Sequence, residues 1–398
     1  MTTLDASTSD DQLARAYRGW GFDRLPDRAL VHDVARAVSR PRRDPADSFV
    51  LHAPLELTAR FALLPYVAPD HRDAARLRIF SMADRFDGFG PAVDEPDPTT
   101  FRSPAEGSQV LAEAIEDGDL DAVDSAAQWL GAHVDGRALR ALLTDAVVPR
   151  LSAAAHGSIL LYQLPRIAPR GELPTELLRP LARELARYPD WRLTWMDSSP
   201  RAQRADPQPG DTLFDALAAT PHLGVPGSDF IFPLMSQAEE RGVAEDVLRD
   251  ATAGVDLADG ARAILRAAAW SMLREPDTYV PYGWTHCLTL PQAVLGIAAS
   301  HHDPRAALAV AATYVVGFRA AFATDELDVG FDEPPPELGA ASVASDVVTD
   351  LATRAATHTD AHFVKYTLAC IDAAHFDPSR AGLYLAAASR LATYWSTR

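Results

Sequence analysis

Along most of the chain, apolar residues recur three and four positions apart, the spacing that turns one face of an α-helix toward a core. Asp11 to Tyr17 and Arg28 to Val38 carry this pattern, and Pro41 and Pro45 interrupt it. Asp47 stands as an N-cap before a helix through Phe49, Leu51, His52, Leu55, Leu57 and Phe61, with Pro54 in its early turns. The period resumes at Asp73 to Phe86, Gln109 to Ile115, Leu120 to Leu130 and Arg137 to Leu143. Val147 to Leu164 reads as one longer apolar helix carrying His156, with Pro149 in its first turn. Further helices are predicted at Pro174 to Tyr188, Leu213 to Ala218, Leu234 to Arg241, Val243 to Thr252 and Gly260 to Arg274. Pro276 to His286 is a turn-rich entry into Leu288 to Ala299, and Arg305 to Phe322 is strongly helical. The last two predicted helices are Val343 to Cys370, broken near His358, and Arg380 to Trp395.

Alternation with period two is scarce, Phe230-Ile231-Phe232 being a short exception, and the abundant alanine favours helix intrinsically. The pattern predicts an all-α protein: a compact multi-helix single domain over residues 13–398, after a polar, acidic stretch 1–12 that is expected to be disordered. Long Pro/Gly-rich loops are predicted at 88–108, 198–210 and 331–342. No repeat of solenoid length stands out.

Charge narrows the partners. With a formal net charge of −18 over 398 residues, nucleic acid and anionic membrane are excluded as main partners, since both require a basic surface. The first dozen residues have neither the basic nor the apolar region of a secretory signal, and no uninterrupted apolar run reaches the roughly 20 residues of a bilayer span. Cys287 and Cys370 are too few for a disulfide framework. A cytoplasmic location is the expectation, and oligomeric state is not legible.

Candidate chemistry concentrates near the C-terminus. Lys365 is the only lysine in the chain, every other basic residue among the 37 being arginine. A primary amine on a flexible stem can lose its proton and be modified when buried, whereas a guanidinium cannot. His362 and His358 lie three and seven residues upstream, on the same face if the segment is helical. Of the 12 histidines, four fall in apolar helical surroundings: His52, His156, His286 and His362. One such histidine is more often a packed core residue. Four on four helices form the usual arrangement for a metal in a helical bundle. A carbamylated-lysine metallohydrolase and a non-enzymatic acidic helical interaction protein fit the same residues. No nucleotide-binding fingerprint, P-loop or nucleophile elbow is present.

The order of four short segments resembles that of the questin oxidase-like proteins. These are His52-x-Pro-x-x-Leu57, His156-Gly-x-Ile159, Thr285-His-x-Leu-Thr289 and His362-x-x-Lys365. The resemblance spans about residues 48 to 395 and rests on order and spacing more than on any one motif. It implies a mononuclear non-haem Fe(II) held by His52, His156, His286, His362 and a carboxylated Lys365, which would make Lys365 catalytic. It also implies a dioxygen-dependent oxygenase that opens a ring of an anthraquinone-type small molecule in aromatic polyketide metabolism, with NADPH a candidate external reductant. His358 has no counterpart in the ligand set and is expected beside it. An aromatic substrate needs an apolar slot; Trp284, Tyr282 and Trp195 are its leading candidates, ahead of Trp191, Tyr314 and Tyr162.

Overall fold

The computed structural model describes residues 10–167, 177–198, 208–334 and 344–398. Among these the protein is all-α, with isolated bridges such as Arg42–Ala92 and Arg150–Arg192 in place of strands. Phe230-Ile231-Phe232 opens a helix, Ile231–Glu240, and does not form a strand. The first helix begins at Asp10, inside the stretch expected to be disordered, and residues 1–9 lie outside the described residues. Parts of three other expectations also lie outside them: the start of the Pro174 helix and the centres of the loops at 198–210 and 331–342.

The chain forms two compact units, each drawn from three stretches of sequence. The first comprises residues 1–146, 160–190 and 352–365; the second comprises 147–159, 191–351 and 366–398.

The first unit is built around Ser48–Leu63. Asp47 caps this helix, its carboxylate accepting from Val50 N at 2.8 Å, as the sequence anticipates. Every residue from Phe49 to Arg60 is buried, so the helix is enclosed on all sides, and it packs against Asp27–Val38 and Arg72–Asp87. An enclosed helix must satisfy any polar group it carries, and this one carries several. Thr58 Oγ1 donates to Leu55 O and to Gln163 Oε1, at 2.8 and 2.6 Å. Arg60, 2% exposed, donates to Glu56 on its own helix and to the carbonyls of Ala356 and His358, both at 2.7 Å. Elsewhere in the unit Asp124 is clasped by Arg179 and Arg183, all three buried.

The second unit has its own enclosed helix, Pro304–Phe322, buried at every position from Ala307 onward. It is the one helix among the described residues long and apolar enough to cross a bilayer; its apolar window is 89% buried in the protein. It packs against Thr285–Ile297 and Leu257–Arg274. Its buried Arg319 is satisfied by Leu217 O, Ala218 O, Ser271 Oγ and the Glu275 carboxylate.

Two helix boundaries matter for the candidate site. The segment Val343 to Cys370 is broken where expected, into Ala344–Thr357 and Ala361–Phe376. Val147 to Leu164 is not continuous. The preceding helix ends at Val147, and the next begins at Gly157. Between them Leu151 N and Ser152 N both donate to Trp191 O, at 2.7 and 3.3 Å, and Leu193 N donates to Pro149 O at 2.8 Å. These bonds to a distant segment replace those a continuing helix would have made, and Pro149 has no N–H to contribute.

Candidate metal centre

In the first unit the structure brings His52, His362 and Lys365 together. The rings of His52 and His362 meet edge to face with centroids 4.6 Å apart. His52 lies in the second turn of its enclosed helix and is 7% exposed. Its Nδ1 contacts Ser48 O, one turn back. A carbonyl oxygen only accepts, so Nδ1 carries the ring proton and Nε2 keeps its lone pair.

His362 lies in the first turn of Ala361–Phe376, and Asp360 caps that helix. Asp360 Oδ1 accepts from His362 N at 2.9 Å and Phe363 N at 3.0 Å, and faces His362 Nδ1 at 3.6 Å. That last distance is beyond ordinary hydrogen-bond reach but close enough to orient the ring. Burial raises the Asp360 pKa, but its hydrogen bonds from His362 and from the helix N-terminus outweigh this and hold the carboxyl below the usual range. Burial likewise depresses the His362 pKa; Asp360 opposes the shift and Lys365 reinforces it. His362 is therefore a neutral imidazole at pH 7, the form that binds a metal.

Lys365 is 1% exposed, and burial lowers its ammonium to about 7, against the opposing pull of Asp360 and Glu56. A large fraction of neutral amine is thus present at neutral pH. His358, expected beside the ligands, touches Asp360 instead of pointing with His362. Its Nδ1 accepts from Asp360 N at 3.0 Å, which requires the opposite tautomer from His52 and makes it part of the turn that aims the cap. The Glu56–Arg60 pair and Asp360 escaped the sequence reading. The signal for Asp360 was present in His358-Thr-Asp-Ala-His362, an Asx-type helix start. Glu56 and Arg60 stand at i, i+4, but nothing in the sequence marks that spacing as buried.

In the second unit the structure brings His156 and His286 together, their rings perpendicular with centroids 5.5 Å apart. Each is preceded by irregular backbone. Before His156, Ala153, Ala154 and Ala155 all have left-handed dihedrals, with φ of 52°, 49° and 57°. For L-residues that conformation costs roughly 1–2 kcal/mol each. It places Ala153 O at 2.9 Å from His156 Nδ1. Before His286 comes a π-helical turn, Val280–Trp284, and Tyr282 O lies 2.5 Å from His286 Nδ1. Single π turns recur at functional sites. Gly283 is required in this one, because a Cβ there would stand 2.7 Å from the Phe322 ring.

His52, His156 and His286 therefore hold the same tautomer by the same local device, and Asp360 stands beside the ring of His362 at longer range. The device alone is not diagnostic. Exposed His133 makes the same contact with Trp129 O while stacked on the Trp129 ring. Burial narrows the set: His52 is 7% exposed, His156 1%, His286 9% and His362 8%, and His301, at 8% with Nδ1 against Asp303 O, is the one other buried histidine among the described residues.

The aromatic candidates separate. Trp284 is fully enclosed and packs edge-on against Phe322, which makes it a support for the His286 turn. Trp195 is buried and donates through Nε1 to Thr313 Oγ1 at 3.2 Å. Tyr282, half exposed, is the one of the three that presents a surface. Trp191 stacks on Phe232, with centroids 4.3 Å apart.

No family model, curated protein or solved structure matches the chain.

Proposed function

We propose that the protein is a non-haem iron-dependent oxygenase whose metal is held by His52, His156, His286, His362 and a carboxylated Lys365. The observation that carries this reading is the shared state of the buried imidazoles. His52, His156 and His286 keep the ring proton on Nδ1 against a backbone carbonyl, which leaves Nε2 as the donor in each, and the Asp360 carboxylate lies 3.6 Å from His362 Nδ1. Locally held imidazoles with a fixed tautomer are the usual supports of metal-binding histidine. The donor chemistry fits the group. Neutral imidazoles suit Fe(II), and a carbamate on Lys365 adds one anionic oxygen against the metal's double charge.

Each residue has work to do in that role. Lys365, with its ammonium lowered to about 7, offers the amine lone pair to CO2; the N–C bond forms and one proton leaves. Asp360 keeps His362 turned and balances charge beside it. Iron, when bound, would supply the redox couple that allows dioxygen to react with an electron-rich ring. The substrate class that fits is a polycyclic aromatic or quinone-like small molecule undergoing oxidative C–C ring cleavage, with Tyr282 offering its ring at the approach.

Metal content of protein purified without chelator tests the centre, alongside Lys365→Ala. About one iron per chain, lost in the variant, is expected. No metal in the wild type would overturn the reading, and about two zinc ions per chain would redirect it to hydrolysis. Oxygen uptake with hydroxyanthraquinones, with and without NADPH, tests the chemistry; an iron-loaded protein that consumes none would end the oxygenase assignment.

A further inference from the structure

Ala153, Ala154 and Ala155 are the only non-glycine positions with positive φ among the described residues, and they are consecutive. Glycine takes this conformation without a Cβ penalty, yet the chain uses alanine three times and places its glycine at 157, after His156. The three methyls are buried, none of these residues more than 5% exposed. Both ends of the turn are pinned. Upstream, the Trp191 carbonyl holds Leu151 N and Ser152 N. Downstream, Gly157 lies so close to Val147 that a Cβ would stand 3.2 Å away. A turn over-determined in this way can be kept in an unfavourable conformation, and such strain clusters where geometry serves function.

The product of the strain is a single carbonyl used twice. Ala153 O accepts from His156 N at 3.0 Å and from His156 Nδ1 at 2.9 Å. Backbone and ring of the same histidine are thus referred to one oxygen atom three residues back. In the regular helix around His52, and across the π-helical turn before His286, the ring reaches a carbonyl four residues back. A right-handed continuation from Leu151 would leave His156 on another bearing.

We propose that Ala153–Ala155 is a positioning element: a left-handed alanine turn that locks His156 in the Nδ1–H tautomer and presents its Nε2 before any ligand arrives. Alanine serves better than glycine because a methyl restricts the alternatives once the turn is pinned, whereas glycine would let Ala153 O swing away. The inference rests on the metal reading only for what Nε2 finally meets; the locked ring is a property of the metal-free chain.

The test is nitrogen NMR of metal-free protein labelled with 15N-histidine, with His156 assigned through His156→Gln. Wild-type protein should show His156 as one tautomer with the proton on Nδ1. Ala154→Gly should show a mixture of tautomers. Its metal-free form should also melt about 2 °C higher, as left-handed strain is relieved. Its metal affinity should fall about tenfold, the usual scale for losing the support behind a ligand. A wild-type His156 protonated on Nε2, or an Ala154→Gly protein retaining the single tautomer, would overturn the proposal. Absence of metal from the wild type would sink the proposed centre and leave the NMR result to decide this inference alone.

Discussion

Lys365 shows what one residue's surroundings can do. Its ammonium is held near 7 by burial, against 10.5 for an unburied lysine. In metal-free protein the unfolded chain therefore binds a proton that the folded chain lacks between those two values. Wherever the unfolded state binds more protons, stability rises with pH. The sign follows: burial of Lys365 costs most below pH 7, and the cost fades as pH climbs toward 10.5. Lys365→Met, of similar length and without charge, should raise the denaturant midpoint of metal-free protein at pH 6 and lose that advantage by pH 10. A gain independent of pH would mean that folding leaves the amine's proton affinity unchanged, as for a solvated lysine. The sequence pointed to this residue because it is the sole lysine. It could not reveal the burial, which is set by helices from distant stretches of chain.

At the scale of elements, Asp360 both starts the Lys365 helix and turns His362. Asp360→Ala removes a cap worth about 1 kcal/mol. It also frees the His362 ring, for which a 10–100-fold loss of metal affinity is the expected scale. Thermal unfolding of metal-free protein and metal titration measure the two effects separately; Asp360→Asn should restore the first more fully than the second. Element positions were largely legible: apolar spacing located most of the helices, and the break near His358 falls where Thr-Asp follows it. The run from Val147 to Leu164 was misread for a physical reason. Three left-handed alanines look like the best helix formers in sequence, and the conformation is imposed by the Trp191 carbonyl from elsewhere in the second unit. The turn before His286 was recognised as turn-rich from Pro281 and Gly283, though not as π-helical.

At the scale of the whole molecule, each unit is closed by segments far apart in sequence. Arg60 makes this concrete in the first unit: it reaches Ala356 O and His358 O while paired with Glu56, all in buried surroundings. Arg60→Met alone leaves Glu56 buried without its partner, and about 3–5 kcal/mol of stability should be lost. Arg60→Met with Glu56→Gln should recover much of that by removing the stranded charge. Urea unfolding of the two variants decides it; equal losses would show that the carbonyl contacts, and not the ion pair, hold the segments together. Nothing in the sequence connects Arg60 with residue 356, because the pairing depends on topology.

That topology carries a cost during synthesis. Ribosomal folding favours proteins whose early stretches close on their own. Here the first unit waits for residues 352–365 and the second for residues 366–398. The helix Leu257–Arg274, which packs against Ala381–Ser396, therefore emerges before its covering is complete, and a nascent chain stalled past residue 274 leaves that apolar face open to other chains.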